Sequence, residues 1–89
     1  MKYQVRIKPA AERQIDGLKS RVQRNIVRCL EGLSENPHPP GSKKLAGTED
    51  LFRVRVGEYR VVYQVRARLL LVLVVKVGHR REVYRRMPG

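Results

Sequence analysis

The chain has 89 residues, 42% of them hydrophobic, which suits one small domain with its own core and excludes global disorder. Twenty Lys and Arg against eight Asp and Glu give a net charge of +12, a field that steers the protein toward polyanions: nucleic acid, an acidic protein or an anionic membrane. No apolar run reaches the roughly 18 residues a spanning helix needs, no hydrophobic signal segment opens the chain, and the single cysteine, Cys29, excludes a disulfide framework and fits a reducing cytoplasm.

Tyr3, Val5 and Ile7 alternate with Gln4, Arg6 and Lys8, which predicts a short half-buried strand. Pro9 suits the first position of a helix, where its missing N–H is no loss. Ala10, Ala11, Ile15 and Leu18 give that helix one apolar stripe, and Gly17 is its expected stop. Ser20 with Gln23 three residues on is a capping-box pattern that starts a second helix. Val22, Ile26, Cys29, Leu30 and Leu33 form its buried stripe, and Arg21, Arg24, Arg28, Glu31 and Glu35 face water. Asn36-Pro37 closes it, and Pro37-His38-Pro39-Pro40-Gly41 is a stiff loop.

From Leu51 the period changes to two. Phe52, Val54 and Val56 alternate with Arg53 and Arg55, Gly57-Glu58 is a two-residue hairpin signal with Gly first, and Tyr59, Val61, Tyr63 and Val65 continue the alternation. Leu69 to Val77 is almost wholly apolar, as expected of a central strand covered on both faces. The expected architecture is one α+β domain over residues 1–89, β-α-α-β-β-β, with an antiparallel sheet and a helical hairpin packed on one face.

With Gly57-Glu58 as the turn, Arg55 faces Arg60, and Arg53, Arg55 and Arg60 share the face opposite the core. Like charges directly opposite on a ladder are destabilising, so an anion between them is the economical explanation; the plainer one is a solvated sheet face with spread stems. Arg80 and Arg81 follow the last apolar strand. Guanidinium groups clamp phosphate oxygens bidentately. RNA cleavage needs such charge stabilisation, because RNA carries its own nucleophile in the 2′-OH. Tyr84 suits base stacking, a hydrogen bond to the nucleophile or proton donation. His79 is the nearby side chain whose ordinary pKa lies near neutrality, or else a turn residue. Lys43 and Lys44 read as a solvated or phosphate-contacting pair. His38, His79 and Cys29 lack metal-ligand spacing, so neither a metal nor another cofactor is expected.

These residues resemble the RelE branch of the RelE/ParE toxin superfamily, the toxin halves of prokaryotic type II toxin–antitoxin pairs. The resemblance rests on Pro9-Ala10-Ala11, Asn36-Pro37, Lys43-Lys44-Leu45-Ala46-Gly47, Phe52-Arg53-Val54-Arg55-Val56, Tyr59-Arg60-Val61-Val62-Tyr63 and the run from Val77 to Tyr84. It implies an mRNA endonuclease acting in the ribosomal A site, where 2′-OH attack leaves a 2′,3′-cyclic phosphate and a 5′-OH. It matches Arg53, Arg55, Arg60, Arg80 and Tyr84 to family site positions, the arginines as a phosphate clamp joined by Tyr84; beside it, Lys43, Lys44, His79 and Arg81 are expected as further RNA or phosphate contacts. Well-known members carry lysines where this chain has Arg53 and Arg55. Lysine can be tuned to act as a base and guanidinium cannot, which leaves the general base open between Tyr84 and His79.

The resemblance also implies a cognate RelB-like antitoxin, the ribosome and mRNA as partners, no membrane and a cytoplasmic location. The toxin is expected to be monomeric alone and to enter a higher-order complex with its antitoxin. Two rivals stand beside this reading. In the ParE branch the same fold inhibits DNA gyrase without cutting RNA, but it generally lacks the combined strand arginines and terminal tyrosine. In a plain nucleic-acid-binding module, Arg21, Arg24 and Arg28 on the second helix would mimic a helix-turn-helix.

Overall fold

The computed structural model describes residues 2–81. The elements are β1 (Gln4–Ile7), α1 (Pro9–Asp16), α2 (Ser20–Glu35), β2 (Lys43–Lys44), β3 (Leu51–Val56), β4 (Tyr59–Arg66) and β5 (Leu71–His79), with one turn of 3-10 helix at Ala67–Leu69. The five strands form one sheet in the order β1-β5-β4-β3-β2. Strands β2 to β5 pair antiparallel, as expected, whereas β1 lies parallel to β5. A parallel partner requires a crossover, and the two helices supply the beginning of it.

The helices bring Ala11, Ile15, Ile26, Leu30 and Leu33 onto Val54, Val61, Tyr63, Val72, Val74 and Val77 in one buried cluster. Each buried aliphatic side chain contributes about 1.5–3 kcal/mol. Helix α2 starts at Ser20, but not through a capping box. Lys19 is the N-cap and makes no side-chain cap, while Gln23 Nε2 donates to the Ile15 carbonyl at 3.0 Å. That carbonyl belongs to the last turn of α1 and also accepts from the Leu18 N–H at 3.0 Å, so Gln23 adds a second donor there and stitches the two helices together instead. At the far end, Tyr3 N donates to the Ser34 carbonyl at 2.8 Å, and Ser34 Oγ donates to the Tyr3 carbonyl at 2.8 Å.

Among the described residues, helices cover β5 on one face only. Val72, Val74 and Val77 are buried, but Leu71, Leu73 and Val75 on the same strand stay partly exposed, and Leu69 is 67% exposed in the 3-10 turn. The expectation of a strand covered on both faces is therefore corrected: the apolar run reflects an interior place in the sheet, between β1 and β4, because both helices lie on the same side.

Strand β5 also carries an extra residue. Val62 pairs with Lys76 and Tyr63 with Val74, which leaves Val75 as a bulge. Bulges re-aim the side chains that follow them, and the inward series passes from Val72 and Val74 to Val77.

Tyr63 is fully buried and donates its hydroxyl to the Pro37 carbonyl at 2.8 Å. This bond fastens the Pro-rich loop to the centre of the sheet. Phe52 stacks on Tyr63 at 6.0 Å, and the exposed His38 ring meets Phe52 edge-on at 4.8 Å. Burial pushes the pKa of the Tyr63 phenol up, and that of the Cys29 thiol likewise.

Replacing Tyr63→Phe leaves the Pro37 carbonyl without its donor and should cost about 1–2 kcal/mol in urea denaturation. A raised phenol pKa contributes stability that is present below the ordinary value of about 10 and is lost as pH rises through the folded value. Wild type should accordingly lose stability above about pH 10, with a component that Tyr63→Phe lacks.

Candidate functional site

The β3–β4 hairpin turns on Gly57, whose φ of +59° is a conformation that only glycine adopts without strain, while Glu58 keeps a negative φ. A two-residue turn with glycine first fixes the pairing of its strands. Val56 faces Tyr59, Arg55 faces Arg60 and Val54 faces Val61, the register expected from sequence. Val54, Val61 and Tyr63 accordingly enter the core, and Arg53, Arg55 and Arg60 share the opposite face.

Pairing across neighbouring strands arranges that face in rows. Arg55, Arg60 and Gly78 form one; Lys43, Arg53, Val62 and Lys76 form the next. The rows lie two residues apart along the strands, about 6.8 Å. Lys76 thus joins the predicted arginines, and sequence reading missed it. The available signal was a lone cation in an apolar strand: strict alternation from Val72 and Val74 would aim Lys76 into the core. The bulge at Val75 avoids that.

Arg53 and Arg60 are half-buried and Arg55 is exposed. Their ion pairs are absent among the described residues, where Lys2 pairs with Glu35, Arg66 with Asp50 and Arg80 with Glu58. Arg60 Nη1 is buried without any hydrogen-bond partner. Leaving a buried donor unsatisfied costs about 1–3 kcal/mol, more for a charged group, and Arg55 directly opposite adds like-charge repulsion. An anion that accepts from both would relieve both costs.

Arg80 follows the end of β5. Its backbone N–H donates to the Glu58 carbonyl at 2.8 Å, and its guanidinium Nε lies 3.1 Å from Glu58 Oε2. Both side chains are half or more exposed, and such surface pairs are worth at most about 1 kcal/mol. Glu58 therefore orients Arg80 without sequestering it.

The other predicted residues separate. Lys43 opposes Arg53 and lies on the basic face, whereas Lys44 opposes Phe52 and lies on the helix side. His79 pairs with Tyr59, and the two rings meet edge-on at 5.7 Å. Tyr59 packs against the core cluster, so His79 lies on the helix side of the sheet, across from Arg53, Arg55 and Arg60. Its Nδ1 accepts from the Arg81 N–H at 3.3 Å, and Arg81 is exposed in the turn. Tyr84 lies outside the described residues. Among the described residues no helix is long and apolar enough to cross a membrane.

Comparison with known proteins gives a consistent result. Residues 5–84 match the ParE toxin family of type II toxin–antitoxin systems. The chain is 35% identical over 82 residues to a RelE-like toxin protein of Escherichia coli, covering 90% of this chain and 85% of that one. It is 34% identical to toxin RelG of Mycobacterium tuberculosis, covering 97% and 100%. Among solved structures it superposes on the archaeal RelE–RelB complex of Pyrococcus horikoshii with a TM-score of 0.82 at 28% identity, over 93% of this chain and 100% of that one. The intact RelBE toxin–antitoxin complex of Escherichia coli gives 0.77 at 28% identity, over 86% and 95%. A family match over nearly the whole chain, together with RelE relatives of the same length and fold, makes this protein a member of the RelE/ParE family of type II toxin–antitoxin toxins, on its RelE branch.

Proposed function

We propose that this toxin is a ribosome-dependent endoribonuclease that cuts mRNA in the A site and so inhibits translation. The observation that carries the reading is the buried, unpartnered Nη1 of Arg60 opposite Arg55. It lies on a face that also holds Arg53 and Lys43 and ends beside Arg80. This is a site for a phosphodiester in contact with several guanidinium groups at once.

In the proposed reaction the 2′-oxygen attacks the adjacent phosphorus in line and the bond to the 5′-oxygen breaks. The products are a 2′,3′-cyclic phosphate and a 5′-OH; the proton lost by the 2′-OH goes to a base, and an acid supplies one to the 5′-oxygen. No water is consumed, and the reading assigns no step to a metal ion. Arg55 and Arg60 hold the non-bridging oxygens and stabilise the charge that develops on them. Arg53 and Lys43 hold the neighbouring phosphate, and Arg80 closes the clamp from the strand end. Tyr84, by family resemblance, orients the base or joins the proton transfer. The ribosome positions the mRNA, which suits a site whose chief assets are charge and geometry.

The proposed setting is the cytoplasm. The partner is a cognate RelB-like antitoxin that covers the basic face, with fast, salt-sensitive association driven by the +12 charge. The toxin alone is read as a monomer and its antitoxin complex as a larger assembly. The family match carries the ParE name, so gyrase inhibition is the second reading, and one experiment separates the two.

Primer extension on a defined mRNA in a cell-free translation reaction should show cuts with wild type, only when ribosomes are present, and a loss of about 100-fold or more with Arg60→Ala or Arg80→Ala. Intact mRNA with folded wild type would overturn the reading and make DNA supercoiling the next assay. A separate signature is expected in stability. Arg60→Met removes the unsatisfied donor, so it should raise unfolding free energy by about 1 kcal/mol at low salt while abolishing cleavage. Added inorganic phosphate should raise the Tm of wild type more than that of the variant.

A further inference from the structure

Behind the basic face, at the same end of the sheet, lies a second feature that the phosphate clamp does not use. Strand β1 stops at Ile7, which pairs with Val74, so β5 continues to His79 without a neighbouring strand on that side. Helix α1 fills the position only partly: Gln14 Oε1 accepts from the Val77 N–H at 2.8 Å, the donor that a further strand residue would otherwise have taken. Beyond that bond remains a cleft of about 340 Å³ between α1 and the strand end, lined by Gln14, Leu18, Tyr59 and the four β5 residues from Lys76 to His79.

The chemistry of the cleft is specific. Tyr59 gives it an aromatic wall, with His79 edge-on to that ring at 5.7 Å. Because His79 Nδ1 accepts from the Arg81 N–H, the neutral imidazole carries its proton on Nε2 and is a donor there. Gln14 spends its oxygen on Val77, and its Nε2 amide makes no hydrogen bond among the described residues. The Tyr59 hydroxyl has none there either. The polar groups without a partner among the described residues are thus mainly donors, beside an apolar wall formed by Leu18 and Val77. A flat heterocycle with acceptors on one edge fits that combination, and the volume is near the lower limit for small-ligand sites.

We infer that this cleft is a nucleobase subsite, in which Tyr59, His79 and Gln14 receive a base of the RNA whose phosphates lie on the opposite face. The inference rests on the ribonuclease reading and deepens it, by naming what gives the cut its sequence preference. Consecutive Cα atoms are 3.8 Å apart, so Arg80 and His79 serve the two sides of one strand end. A phosphate at Arg80 leaves its neighbouring base within reach of the cleft. Guanine, with O6 and N7 both accepting on one edge, pairs with two donors and is the expected occupant. His79 is then a specificity-determining residue and not part of the phosphate clamp.

Two measurements test this, and they fail separately. First, cut positions are mapped across many mRNAs for wild type, His79→Ala, His79→Gln and Arg60→Ala. His79→Ala should flatten the preference among bases at one position by about tenfold, as loss of a base contact does. His79→Gln, which retains a donor, should restore part of it, while Arg60→Ala should lower cutting at all sites alike. Second, free nucleosides, which carry no phosphate, are titrated into isotope-labelled Arg60→Ala protein by NMR. Guanosine should shift the His79 ring and the Gln14 carboxamide signals more than cytidine does. If wild type cuts RNA with a bias that His79→Ala leaves unchanged, the subsite is wrong and the nuclease reading stands. If wild type cuts no RNA, the nuclease reading falls and the titration alone decides whether the cleft takes a base. Shifts caused by an extended acidic peptide but by no nucleoside would overturn the proposal and make the strand end a peptide-docking edge.

Discussion

The placement of the arginines on the sheet depends on a two-residue turn. Gly57 at φ +59° sets a pairing in which Val54, Val61 and Tyr63 enter the core while Arg53, Arg55 and Arg60 face away. The side-chain period of a strand is two, so a slip by one residue would exchange these sets. Three guanidinium groups would then lie under the helices, and burying even one unpaired ion costs several kcal/mol. The turn and the core therefore enforce each other. The loop hydrogen bond from Tyr63 to Pro37 exists only in this register, because only then is the Tyr63 ring directed inward.

A domain of this size tolerates +12 because its stability does not depend on its charges. Helix α2 has no acidic residue in its first turn and no basic residue in its last. Arg21 and Arg24 lie in its N-terminal half and Glu31 and Glu35 near its end, which is the reverse of what the helix dipole favours. Each such mismatch costs about 0.3–1 kcal/mol at an exposed site. Burial of Ile26, Leu30 and Leu33 contributes about 1.5–3 kcal/mol apiece and outweighs it. Packing holds the fold, which leaves the surface open to selection for a polyanionic partner. The exposed ion pairs, such as Arg80 with Glu58, direct side chains more than they stabilise the fold.

What could be read from the sequence was whatever short-range geometry dictates. Pro9 and Asn36-Pro37 marked helix ends because breakers act locally, and Gly57-Glu58 disclosed the hairpin and the Arg55–Arg60 pair for the same reason. The parallel pairing of β1 with β5 was not legible, since it depends on where a crossover returns the chain. Gln23 satisfied the capping-box pattern, but tertiary contact gave its side chain a better acceptor at Ile15. The harder case was His79. Its grouping with the arginines followed from nearness in sequence, whereas the bulge at Val75 turns it to the other side of the sheet. Lys76 was the trace of that bulge, because a lone cation in an apolar strand forces either a buried charge or a change of phase.

The bulge also determines what kind of chemistry each face can perform. Without it, His79 would fall on the arginine face and carry its imidazole into a field of guanidinium groups. With it, the described part of the basic face carries arginines with Lys43 and Lys76, set among apolar positions such as Val62. Such a surface stabilises negative charge and has little means of moving protons. In the nuclease reading, rate then comes from holding the phosphate, and proton transfer falls to residues after Arg81 or to the assembled substrate complex. The donor-rich cleft across the strand is left to discriminate among bases. Phosphate binding is indifferent to sequence and base contact is not. In that reading, one extra residue in β5 separates the two tasks onto opposite sides of a single strand end, where altering one need not disturb the other.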